Sequence, residues 1–163
     1  MAATVQIHEM TGSASGVNKT STTVRFKSAD NTSADTDHRI AIPDSGTTYS
    51  YTKMLRFYFA SAPSVDIQNL RAYTDGSNNF GTGIGVQYAV TSAWTANVNT
   101  DISGTNLFTA TSSSPIDLDK LNTGPHTSTG YKGDFLRLQM TVSTAAASGL
   151  LTAETLTFAY DET

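Results

Sequence analysis

Between Phe135 and Val142 every second residue is large and apolar: Leu136, Leu138, Met140 and Val142. A strand turns successive side chains to opposite faces, so this period fits a strand with one buried face; a helix would scatter the same residues around its axis. The pattern recurs at Gly83 to Val90 through Ile84, Val86, Tyr88 and Val90, and at Thr155 to Tyr160 through Leu156, Phe158 and Tyr160. Shorter runs read the same way at Val5 to His8, Thr22 to Lys27 (Val24, Phe26) and His38 to Ile42, the last closed by Pro43. In Thr48 to Ala60, Tyr49, Tyr51, Leu55, Phe57 and Phe59 share a face interrupted by Lys53, and Met54, Arg56 and Tyr58 line the other. Apolar bulk on both faces predicts a central strand. In Val65 to Tyr73, Ile67 and Leu70 are out of phase, which predicts a bulge near Asn69.

One helix is expected, at Ser114 to Leu121, with Ser114 as N-cap, Pro115 in the first turn and Asn122 and Gly124 closing it. Residues 91–114 read as a long loop with a short strand at Asn106 to Ala110, and 144–154 as helix or loop. Composition agrees with β-structure. The chain holds 27 Thr and 18 Ser but only three Glu, and branched Thr suits a pleated surface where exposed helices would need Glu and Lys. Two-residue hairpin signals are scarce, so long connections between sheets are expected. The reading is an all-β, antiparallel β-sandwich, jelly-roll-like, with at most one short helix. Residues 1–20 form a polar N-terminal arm with a short strand, and residues 21–163 a single β-sandwich domain.

A formal net charge of −4, with Lys and Arg spread singly, argues against a nucleic-acid partner, which needs a clustered positive field. No apolar run approaches the length of a membrane-crossing helix, and MAATVQIHEM lacks the pattern of a secretory signal. The absence of Cys excludes disulfides and thiolate metal sites.

Candidate sites are few. Asp35-Thr36-Asp37-His38 is the densest metal-like cluster, weighed against a solvated loop entering a strand. Asp75-Gly76-Ser77-Asn78-Asn79 offers oxygen ligands at alternate positions, but Phe80 and Val86 stand where an EF-hand needs Gly and Glu, so a turn is favoured. Asp117 and Asp119 are two apart, and the expected helix start explains Asp117 without any ion. Asp66 and Asp134 could form a carboxylate pair, yet nothing selects them over structural roles. The glycines of Gly81-Thr82-Gly83-Ile84-Gly85 lead into a strand, where a phosphate loop would open a helix. Asn18-Lys19-Thr20 and Asn31-Thr32-Ser33 match the glycosylation pattern by chance. His8 and His126 lack metal spacing. Trp94, Tyr73 and Phe80 lie in or beside loops, either as a stacking platform for sugar rings or, more commonly, as packing residues. No catalytic, cofactor-binding or metal residues are assigned, and no cofactor is expected.

The N-terminal polar arm, the Thr/Ser/Gly-rich strands and loops, and the closing segment LTAETLTFAYDET resemble small virion proteins of tailed bacteriophages, in particular head decoration (cement) proteins. The resemblance implies a non-enzymatic structural role on the capsid exterior after synthesis in the host cytoplasm. It also implies a homotrimer partnered by the major capsid protein or other virion proteins, with no nucleic acid or membrane. Alternatives are a carbohydrate-binding β-sandwich module on a phage fibre or tail, another neck or tail structural protein, or a small jelly-roll hydrolase with converging carboxylates or His.

Overall fold

A computed structural model describes residues 2–11, 15–33 and 36–163. Its described strands form two antiparallel sheets. The larger sheet runs in the order β2 (Ser15–Asn18), β1 (Val5–Thr11), β4 (Lys53–Phe59), β9 (Gly130–Ser143), β6 (Ile84–Thr91) and β7 (Thr105–Asn106), and β3 (Thr47–Tyr49) also pairs with β9. The smaller sheet is β10 (Thr157–Glu162), β5 (Ile67–Tyr73) and β8 (Ile116–Asp117). The expected all-β antiparallel sandwich is thus present, with its strands divided seven to three. The only helical element among the described residues is a 3-10 turn at Leu107–Thr109.

The two cleanest alternations become neighbours. Ile84, Val86, Tyr88 and Val90 of β6 stand opposite Val142, Met140, Leu138 and Leu136 of β9. Leu136 in turn faces Leu55 of β4. These residues, with Phe57 and Phe59, pack against Ile67, Leu70, Ala72 and Phe158 of the smaller sheet. Each large side chain removed from water in this core contributes about 2 kcal/mol. On the outer face of the large sheet a second cluster forms from Met10, Met54 and Phe135, against which Trp94 packs.

The described part of residues 1–20 holds two strands. β1, the expected short strand, is hydrogen-bonded on both edges, to β2 and to β4.

The long segment Thr48 to Ala60 does run beside β9, but it leaves the ladder at 50–52. There the Tyr51 N–H donates to the Lys27 carbonyl (2.8 Å) and the Thr52 N–H to the Val98 carbonyl (2.9 Å). The strand thereby ties down two loops. The 19–42 loop covers the inner face through Val24, Phe26 and Ile40, and the 92–104 loop covers the outer face through Trp94. Thr22 to Lys27 and His38 to Ile42 are therefore loop rather than strand: Val24, Phe26 and Ile40 are half-buried as a cover, Ile42 is exposed, and neither segment forms a ladder.

The helix expected at Ser114 to Leu121 is also replaced. Thr111 and Ser114 close a tight turn, and Ile116 and Asp117 pair with Ala72 and Arg71. Ile116 and Leu118 are both buried (4% and 0% exposed), two residues apart, which is a strand period. Of the strand expected at Asn106 to Ala110 only Asn106 is strand: it ends the two-residue β7 and caps the 3-10 turn, its side chain accepting from the Phe108 N–H (3.1 Å). Residues 144–154 are turn and loop.

The bulge expected near Asn69 is present: Asn69 has φ 55°, and the β5–β10 register shifts beside it. A larger bulge in β9 spans Gly133–Phe135, where two steps along β4 match four along β9.

Candidate functional site

Four places gather chemistry-bearing side chains. The first lies under the 19–42 loop. Glu9 shares the inward parity of Val5 and Ile7, and Lys53 that of Leu55 and Phe57, so both point into the sandwich. The Lys53 ammonium donates to Glu9 Oε1 (2.9 Å) and to the Asn31 carbonyl (2.5 Å). Lys19 lies 3.6 Å from Glu9 Oε2 and donates to the Thr32 carbonyl (2.7 Å). Lys27, 2% exposed, donates to Asn31 Oδ1 (3.0 Å). The cluster is a buried ionic clamp that fastens the loop over β1 and β4.

The second lies around the β9 bulge. The Asp134 carboxylate is fully buried and accepts from the Leu121 N–H, the Asn122 N–H and the Asn122 amide, each at 2.8 Å. Nearby in sequence, Asp119 accepts from His126 Nε2 (2.7 Å), the Gly124 N–H (2.9 Å) and the Asn69 N–H (3.1 Å). These carboxylates fold the 118–126 connection back on the sheets.

The third is on the outer face, where His8 stacks on Tyr58 with centroids 4.4 Å apart. Its ring nitrogens meet the Tyr131 hydroxyl (3.2 Å) and Gln6 Oε1 (2.9 Å). Burial lowers the His8 pKa below 6.5. Burial also lowers the pKa of Arg56 and Arg137 on this face; the nearby Asp134 carboxylate partly offsets the effect at Arg56. Arg56 sits over the Phe135 ring at 4.3 Å.

The fourth is a cleft of about 390 Å³ at one end of the smaller sheet, bordered by Tyr73, Asp75, Ser112, Glu154, Thr155 and Thr157.

The sequence candidates are placed as follows. Asp35 lies outside the described residues; Asp37 and His38 are exposed. No group of three or more His, Asp or Glu suited to a metal occurs among the described residues. Asp75 accepts from the Ser77 N–H (2.8 Å), and Asn78 Oδ1 from the Phe80 N–H (3.2 Å), the geometry of side-chain-closed turns. Asp117 accepts from the Asp119 N–H (2.9 Å) at the end of a strand. Asp66 binds Gln68 and Thr163, whereas Asp134 binds Leu121 and Asn122, so the two serve different segments. Gly83, with φ 75°, turns the chain into β6, and a Cβ there would meet the Ala146 nitrogen at 2.5 Å. Asn18 Oδ1 accepts from both the backbone and the hydroxyl of Thr20. Phe80 meets Phe108 edge to face. Trp94 packs in the outer cluster, while Tyr73 borders the cleft.

Sequence reasoning missed the Glu9–Lys53 pair, the Asp119–His126 pair and the cleft. The first had a signal: two charges at inward parity in otherwise apolar strands. The others join residues whose proximity only the tertiary fold creates.

Comparison of the chain with models of known families, with curated proteins and with solved structures finds no match. No helix among the described residues is long and apolar enough to cross a membrane.

Proposed function

We propose that this chain is a non-enzymatic structural protein of a tailed-bacteriophage virion. In this reading it is a head decoration (cement) protein that lies on the capsid exterior and bridges capsomers as a homotrimer, with the major capsid protein as partner. The observation that carries the reading is the use made of the ionisable side chains. Glu9, Lys53, Asp119, His126 and Asp134 each tie one segment of the scaffold to another. Charges spent in this way hold a shape, as a rigid bridging element requires. Apolar side chains also stand in solvent at Val65 (62% exposed), Leu121 (53%) and Leu150 (85%), and a neighbour that covers them removes apolar area from water.

A stable bridge needs roughly 800 Å² per partner. The purified chain is expected to run as a trimer in light scattering and to bind heads stripped of it, raising their resistance to heat. A chain that stays monomeric at micromolar concentration and leaves heads unbound overturns the reading.

A further inference from the structure

Tyr73 of β5 and Thr157 of β10 are register partners, and beyond them both strands open into loops. Asp75 arrives from the turn after β5, Ser112 from the turn before β8, and Glu154 and Thr155 from the loop leading to β10; together they border the cleft of about 390 Å³. That volume lies within the range of small-ligand sites, about 300–1,000 Å³.

We infer that this cleft binds a neutral saccharide. Its border carries two carboxylates and no Lys, Arg or His, so phosphate, sulfate and acidic sugars are repelled. It also lacks a group of three metal-type ligands among the described residues, so a bare cation is poorly served. What remains is a wall of hydroxyls and acceptors, which matches a ligand whose polar groups are themselves hydroxyls.

The carboxylates are already oriented. Glu154 accepts from the Asn79 backbone N–H and lies 3.4 Å from its amide. Asp75 Oδ1 accepts from the Ser77 N–H (2.8 Å), and Oδ2 makes no hydrogen bond among the described residues. Ordering them in the fold lowers the cost of binding. Tyr73 is half-buried, and among the described residues it is stacked on no other ring. Its hydroxyl and those of Ser112, Thr155 and Thr157 make no hydrogen bond there either. The ring can lie against the C–H face of a sugar while these groups meet its hydroxyls. The site does not depend on where the chain is displayed.

The test begins with the whole chain on an array of neutral and acidic glycans, followed by NMR titration with the best neutral ligand. Shifts are expected at 73–79, 111–112 and 153–157. Tyr73→Ala is expected to weaken binding about tenfold, a loss of about 1.4 kcal/mol, whereas Tyr73→Phe keeps the ring and most of the affinity. Asp75→Asn, at an exposed position, is expected to weaken binding by a similar factor with an unchanged melting transition. No neutral glycan bound, a preference for acidic glycans, shifts elsewhere, or affinity unchanged in Asp75→Asn and Tyr73→Ala overturns the assignment.

Discussion

Glu9 and Lys53 are both within 2% of complete burial, so neither charge can fall back on water. Glu9→Ala leaves the Lys53 ammonium buried with only carbonyl partners, and the expected loss is about 3–5 kcal/mol. The double variant Glu9→Met/Lys53→Met removes both charges and fills the space, leaving Lys19 on the Thr32 carbonyl alone, and it is expected to recover part of that loss. Urea unfolding of Glu9→Met, Lys53→Met and the double variant measures the coupling; additive losses would show that the pair is not a unit. His8 carries a different kind of dependence. Its folded-state pKa is held below 6.5 by burial, with Tyr58, Tyr131, Gln6 and its cross-strand partner Arg56 around it. As pH falls, the unfolded chain takes the proton first. The His8 contribution is therefore complete above about pH 6.5 and is lost as pH falls from there toward the folded-state value. Melting temperatures recorded between pH 8 and 5 are expected to fall less steeply in His8→Phe than in the parent.

At the scale of elements, what could be read in advance was whatever repeats every two residues and finds its partner on a neighbouring strand. The alternations of β6 and β9 were legible because each inward residue of one meets an inward residue of the other. The bulge at Asn69 was legible from a phase break. Val24, Phe26 and Ile40 alternate just as well, yet their segments are loops, because burial as a cover rewards the same pattern without a ladder. The helix signals at Ser114 and Pro115 were local, and they lost to a longer-range pairing with Ala72. The β9 bulge had no local signal beyond Gly133, which sits at φ 65°. A Cβ there would meet the Leu118 carbonyl oxygen at 2.5 Å and Leu70 Cδ1 at 2.6 Å. Gly133→Ala combines strain with a clash against backbone, and a loss of about 2 kcal/mol is expected in thermal or urea unfolding. The cleft at Tyr73 was half legible: the aromatic stood out, but Ser112 and Glu154 reach it only through the fold.

For the whole molecule, the large sheet and the 92–104 loop that covers its outer face meet around one buried side chain. Gln139 donates to the carbonyls of Ser50 (2.9 Å) and Thr100 (3.0 Å) and accepts from Gln87 (3.0 Å) and the Ile102 N–H (3.2 Å). Gln139→Leu leaves several of these groups without partners. It is expected to cost about 2–3 kcal/mol and to speed hydrogen exchange at Ile102 more than at residues 67–73. β9, which carries Gln139, is the strand on which β3, β4 and β6 all depend, and it follows all three in the chain. Until residue 130 has been synthesised, β4 and β6 each present an unpaired edge lined with large apolar side chains. A nascent chain stalled short of that point is a sticky intermediate with no means of closing itself. Cells making this protein therefore face their greatest risk of aggregation during translation, and expression yield should respond more to chaperone supply than the stability of the finished fold would suggest.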